Sequence, residues 1–108
     1  QPHRYSRTRD LFDEFTKAFN QADIVIVTDI YAASEQPIEG VTAESLAHAL
    51  RVHGHQHVHY VPDKTKIAEF LAPMVEEGDV VIAQGAGDIN KTLRELNKLL
   101  GGTEETFV

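Results

Sequence analysis

The chain is predicted to fold as an α/β domain, an open and mainly parallel sheet with helices on both faces. Two observations carry that prediction. The runs Ala22-Asp23-Ile24-Val25-Ile26-Val27-Thr28-Asp29 and Asp79-Val80-Val81-Ile82-Ala83-Gln84 are continuous and rich in β-branched residues, as suits strands whose two faces are both buried. Around them, apolar residues repeat at helical spacing, so helix and strand alternate along the chain.

Each element follows in order. Leu11, Phe12, Phe15, Ala18 and Phe19 predict an amphipathic helix over about residues 8–20. The first β-branched run comes next, then a loop from Ile30 to Val41 punctuated by Pro37 and Gly40. Thr42 suits the cap of a second helix whose apolar residues are Leu46, Ala47, Ala49 and Leu50. Val58 to Val61 is a short second strand stopped by Pro62, and Asp63 caps a third helix. Ile67, Phe70, Leu71, Met74 and Val75 line that helix, with Pro73 placed to kink it and Gly78 to stop it. The Asp79–Gln84 strand then turns through Gly85-Ala86-Gly87 into a last helix, started by Asp88 and carrying Ile89, Leu93, Leu96 and Leu100. Residues 101–108 are expected to form a flexible tail. The pattern as a whole is Rossmann-like, with three layers joined by right-handed connections.

Composition narrows the function. The 108 residues are enough for one domain and one core. A net charge of −7 argues against a nucleic-acid partner. No apolar run reaches the roughly 18 residues of a membrane span, so no membrane partner is expected. The absence of cysteine leaves no thiol chemistry and fits a reducing cytoplasm. The chain opens without methionine on Gln1-Pro2, which points to a piece of a longer polypeptide. It holds no G-x-x-x-x-G-K-[ST] loop and no G-x-S-x-G elbow.

Within this acidic chain, Gln1-Pro2-His3-Arg4-Tyr5-Ser6-Arg7-Thr8-Arg9 is a basic island. Guanidinium grips carboxylate or phosphate with paired hydrogen bonds, and a helical turn would aim two of the three arginines together. A solvated basic helix start is the alternative, although each cation there opposes the helix dipole by about 0.3–1 kcal/mol. In open α/β sheets ligands collect beyond the carboxyl ends of the strands. Three loops qualify, at residues 1–8, 29–34 and 84–89.

Candidates within those loops differ in weight. Arg4 and Arg7 are the anion ligands, while His3 and Tyr5 either join them or pack. Asp29 ends a buried strand, where a carboxylate needs a partner. It orients an arginine, meets an incoming ammonium or caps its own loop. Tyr31 lines the pocket or packs on its rim. Gly85 and Gly87 permit positive φ in a tight turn with Ala86 and Asp88, and from the residues alone an ordinary strand-to-helix turn is the favoured account of them. His53, His55, His57 and His59 alternate, but a polar connection accounts for them and no metal site is expected.

His3-Arg4-Tyr5-Ser6-Arg7-Thr8-Arg9-Asp10-Leu11-Phe12 resembles the His-Arg-Tyr-Thr-Arg-Thr-Arg-Asp-Leu-Phe segment of the Mur ligase family, in its alanine-adding members. Thr28-Asp29-Ile30-Tyr31-Ala32-Ala33, Pro37-Ile38-Glu39-Gly40 and Gly85-Ala86-Gly87-Asp88-Ile89 match later segments in order. The resemblance covers nearly the whole chain and points to residues 1–108 as part of the family's C-terminal, substrate-capturing domain. It implies that the complete enzyme uses ATP and Mg²⁺ to phosphorylate the carboxylate of UDP-N-acetylmuramate. The amine of L-alanine then attacks that acyl phosphate, in the bacterial cytoplasm, during peptidoglycan synthesis.

The resemblance also implies site roles. Arg4 and Arg7 would contact the alanine-bearing end of the muramyl substrate, and the Gly85–Asp88 turn would border the amino-acid pocket. ATP, Mg²⁺ and the catalytic residues would belong to the central ATPase domain, beside an N-terminal UDP-binding domain, so these 108 residues alone would be inactive. In the family this domain begins earlier, with an Asp-Tyr-Gly-His-His segment, a helix and a strand leading into Gln-Pro-His. Without that strand the sheet would have a gap prone to self-association. A murein peptide ligase, or a free-standing α/β module for a phosphorylated ligand or a metal, are the other readings.

Overall fold

The computed structural model describes residues 1–102. Its sheet has two parallel strands, β1 (Val25–Val27) and β2 (Val58–Tyr60), in the register Val25↔Val58, Ile26↔His59 and Val27↔Tyr60. Helices α1 (Tyr5–Asp10) and α2 (Phe12–Ala18) precede β1, and α3 (Ala43–Val52) connects the strands. After β2 come a 3-10 turn (Lys64–Lys66), α4 (Ile67–Leu71), a second 3-10 turn (Ala72–Met74) and α5 (Lys91–Leu99).

The β-branched composition of β1 serves two cores. Val25 and Val27 pack with Val41, Leu46, Leu50 and Val58, against which Tyr5, Phe12, Phe15 and Phe19 close. Ile26, pointing the other way as strand alternation requires, packs on the cluster of Val61, Ile67 and Ile89 with Phe70. Local signals hold where they were strong. Thr42 caps α3 through a reciprocal box with Ser45, and Asp63 accepts from the Thr65 N–H ahead of α4.

Four expectations change. The helix expected over residues 8–20 starts at Tyr5 and breaks at Leu11, which has left helical geometry at φ −107°, ψ 13°. Pro73 ends α4 rather than kinking it, because the chain passes into a 3-10 turn at Ala72. The final helix begins at Lys91 rather than Asp88, since the Asp88 carboxylate is drawn to Lys64 instead. Residues 79–84 form no strand among the described residues. The β-branched run is there, but no neighbouring strand pairs with it, and Val80 and Ile82 are 84% and 73% exposed. The α/β class stands with a two-stranded parallel sheet. Of the expected tail, residues 103–108 lie outside the described residues.

Candidate functional site

Residues 1–4 tie the three predicted loops together. The backbone nitrogen of Gln1 donates to the Gln84 carbonyl at 2.8 Å, and its side-chain Nε2 donates to the Asp29 carbonyl at 3.1 Å. Tyr31 N–H donates to the Pro2 carbonyl at 2.9 Å, and Arg4 N–H returns to the Tyr31 carbonyl at 2.7 Å. The imidazole of His3 stacks on the Tyr31 ring, 5.6 Å between centroids and 11° from parallel.

Arg4 is held on both sides. Its carbonyl accepts from the N–H and from the hydroxyl of the buried Thr8, at 3.1 and 2.7 Å. This clamp keeps Arg4 in left-handed backbone geometry, φ 67°, a conformation that is strained for a residue with a side chain. Arg4, Ser6, Arg7, Asp10 and Leu11 line an open depression of about 360 Å³. Neither Arg4 nor Arg7 has an ion-pair partner among the described residues, whereas Arg9 pairs with Asp10 at 3.0 Å. Arg4 and Arg7 are both exposed.

The other candidates have partners. Tyr60, at the end of β2, donates its hydroxyl to Asp29, so Asp29 is anchored by a tyrosine and not by an arginine. That bond, with burial and the Asp29 charge, pushes the Tyr60 phenol up to about 12. Tyr31, 43% exposed and stacked on His3, is not among the residues that line the depression. Lys64 donates to Asp88, with Lys91 a further 3.8 Å contact. The Lys64 hydrogen bond, then the charges of Lys64 and Lys91, hold the Asp88 carboxyl below its ordinary range. Gly85 lies against the amino-terminal segment, where an added Cβ would stand 3.0 Å from the Gln1 carbonyl oxygen.

Sequence reasoning missed Tyr60, Lys64, Ser6 and Glu35. Tyr60 follows from the register that brings β2 beside β1, and Lys64 from the packing of Ile67 against Ile89, which brings it to Asp88. Glu35, which accepts from both the N–H and the hydroxyl of Ser6, sits in a loop without periodicity. Among the histidines, His55 contacts the Ala22 carbonyl at 2.7 Å and His59 packs edge-on against Phe70.

The chain matches the family described as Mur ligase, glutamate ligase domain, over residues 1–87. It belongs to the Mur ligase family. Within that family it is similar to UDP-N-acetylmuramate–L-alanine ligases. The one from Sorangium cellulosum is 59% identical over 100 residues, which covers 93% of this chain and 21% of the relative. That of Geotalea daltonii is 56% identical over 89 residues, 82% of this chain and 19% of the relative. The Myxococcus xanthus protein is 48% identical over 103 residues, 95% of this chain and 22% of the relative. The chain thus spans about a fifth of the length of these Mur ligases. No helix among the described residues is long and apolar enough to cross a membrane.

Proposed function

We propose that this Mur ligase domain serves an ATP-dependent, cytoplasmic ligase that joins L-alanine to UDP-N-acetylmuramate, and that it captures the amino-acid end of the reaction. The observation that carries the reading is that Arg4 and Arg7 line one depression with no ion-pair partner among the described residues, just after the segment whose backbone joins the 29–34 and 84–89 loops. Fixed cations of this kind hold a carboxylate by charge-assisted hydrogen bonds. In this reading Arg4 and Arg7 bind the carboxylate of the alanine unit, while the stacked His3 and Tyr31 and the Gly85–Asp88 turn, which touches Gln1, complete the amino-acid pocket. Asp29, oriented by Tyr60, is the acceptor available to the amine.

Alignment is this domain's share of the catalysis. Holding the amine next to an activated acyl group replaces a bimolecular encounter by a positioned one, and closure onto the central domain excludes water. ATP and Mg²⁺ belong in this reading to the central domain, because no phosphate loop is present in the chain. Nor do the described residues assemble a cluster of three metal-ligating side chains. The complete domain is then a three-layer open sheet. A further strand beside residues 79–84 would cover Val80 and Ile82, which lie exposed.

Kinetics of the ligase that carries this domain test the reading. Arg7→Ala is expected to raise the KM for alanine or for UDP-N-acetylmuramate by roughly tenfold to a hundredfold, as loss of a charged hydrogen bond does. Wild-type kinetics would remove Arg7 from the site.

A further inference from the structure

Glu35 belongs to none of the contacts used so far in the proposed function, yet it makes the tightest one at the arginines. Its carboxylate accepts from the Ser6 N–H at 3.0 Å and from the Ser6 hydroxyl at 2.5 Å. Ser6 stands between Arg4 and Arg7 and lines the same depression. The hydroxyl bond first, then the Ser6 and Tyr5 N–H groups and the charge of Arg4, hold the Glu35 carboxyl below its ordinary range.

Bringing Glu35 to Ser6 bends the chain against its preference. Ala33 at φ 50° and Ser34 at φ 70° both lie in the left-handed region, and so does Arg4 at 67°, two residues before Ser6. These are the non-glycine residues with positive φ among the described residues, and all three are at this one place. Backbone strain of this kind persists where surrounding contacts over-determine it, and it collects at functional sites. At Ala33 and Ser34 the determining contacts are the two charge-assisted bonds from Ser6 to Glu35, and at Arg4 they are the bonds from Thr8.

We infer that Glu35 is a positioning residue for substrate binding: it fixes Ser6, and through Ser6 the flanking guanidiniums of Arg4 and Arg7. The inference rests on the reading of the two arginines given under the proposed function. The carboxylate also offsets part of the charge of Arg4 before an anion arrives. Both its hydrogen bonds go to Ser6, so Glu35 acts on the arginines through Ser6 and pairs with neither guanidinium directly.

The effect falls on binding rather than on the chemical step. In the ligase that carries this domain, Glu35→Ala is expected to raise the KM for UDP-N-acetylmuramate or alanine roughly tenfold, with kcat per folded enzyme within about twofold. Glu35→Gln offers Ser6 an acceptor oxygen and an amide donor, and should bring KM back to within about threefold of wild type. Ser6→Ala removes only the hydroxyl and serves if Glu35→Ala does not fold; its KM should rise roughly threefold. A merely structural residue would lower the melting temperature and leave KM alone. That result, in Glu35→Ala or in Ser6→Ala, overturns the inference. Arg7→Ala in the same assay separates the two readings. A raised KM there with a wild-type KM in Glu35→Ala overturns the role of Glu35 alone. A wild-type KM in both removes the arginine reading and this one with it.

Discussion

The hydroxyl of Tyr60 donates to the carboxylate of Asp29, joining the end of β2 to the loop that leaves β1. The bond raises the Tyr60 pKa to about 12. A group whose folded pKa is raised stabilises the fold fully below its ordinary value, here about 10, and that stabilisation is lost as pH rises through the folded value. Tyrosinate absorbance should therefore show a late step centred near 12, and Tyr60→Phe should abolish it. A titration with the same late step in Tyr60→Phe would contradict the assignment.

Asp88 gives the opposite sign. Lys64 holds its carboxyl below the ordinary range, so the pair stabilises the fold above that range and ceases to do so as pH falls through the folded value. Urea unfolding of wild type and Asp88→Asn should differ near neutrality and converge in acid. A difference that persists unchanged into strong acid would rule out the ion pair as its source.

Gly85 and Gly87 separate two reasons for a glycine. At Gly85 a Cβ would meet the Gln1 carbonyl oxygen at 3.0 Å and the Ile89 Cγ2 at 3.1 Å, whereas at Gly87 nothing lies within 4 Å but φ is 104°. Gly85→Ala must displace the amino-terminal segment and is expected to destabilise by about 1–3 kcal/mol. Amide shifts should spread to His3 and Tyr31. Gly87→Ala pays only for its backbone, about 1 kcal/mol, with shifts confined to its turn. Equal and local effects at both positions would show that residues 1–3 do not rest on Gly85.

Strain and function part company at Arg4. Ser34→Gly relieves a left-handed residue on an exposed loop and should raise unfolding stability by about 0.5–1 kcal/mol, the relief less the added chain entropy. Arg4→Gly relieves the same kind of strain but deletes a guanidinium, so the ligase should keep its melting temperature and lose substrate affinity. A large fall in melting temperature for Arg4→Gly would make Arg4 a structural residue instead.

What the amino-acid sequence made legible was local chemistry. The Thr42 cap, the β-branched core of β1 and the basic island at Arg4 and Arg7 were all readable, because each depends on residues within a few positions. Partnerships across the fold were not. Tyr60 reaches Asp29 only through the parallel register of β1 and β2, and Glu35 reaches Ser6 only through two left-handed residues that are not glycine. Residues 79–84 show the converse. Their composition is that of a buried strand, but composition specifies the faces of a strand and not the neighbour that must hydrogen-bond to it.

The most direct test of the account is a crystal structure of the ligase that carries this domain with its product, UDP-N-acetylmuramoyl-L-alanine. The account predicts guanidinium nitrogens of Arg4 or Arg7 at about 2.7–2.9 Å from the alanine carboxylate, with Glu35 still bonded to Ser6 behind them. An alanine carboxylate bound elsewhere, with both arginines turned to solvent, would contradict it.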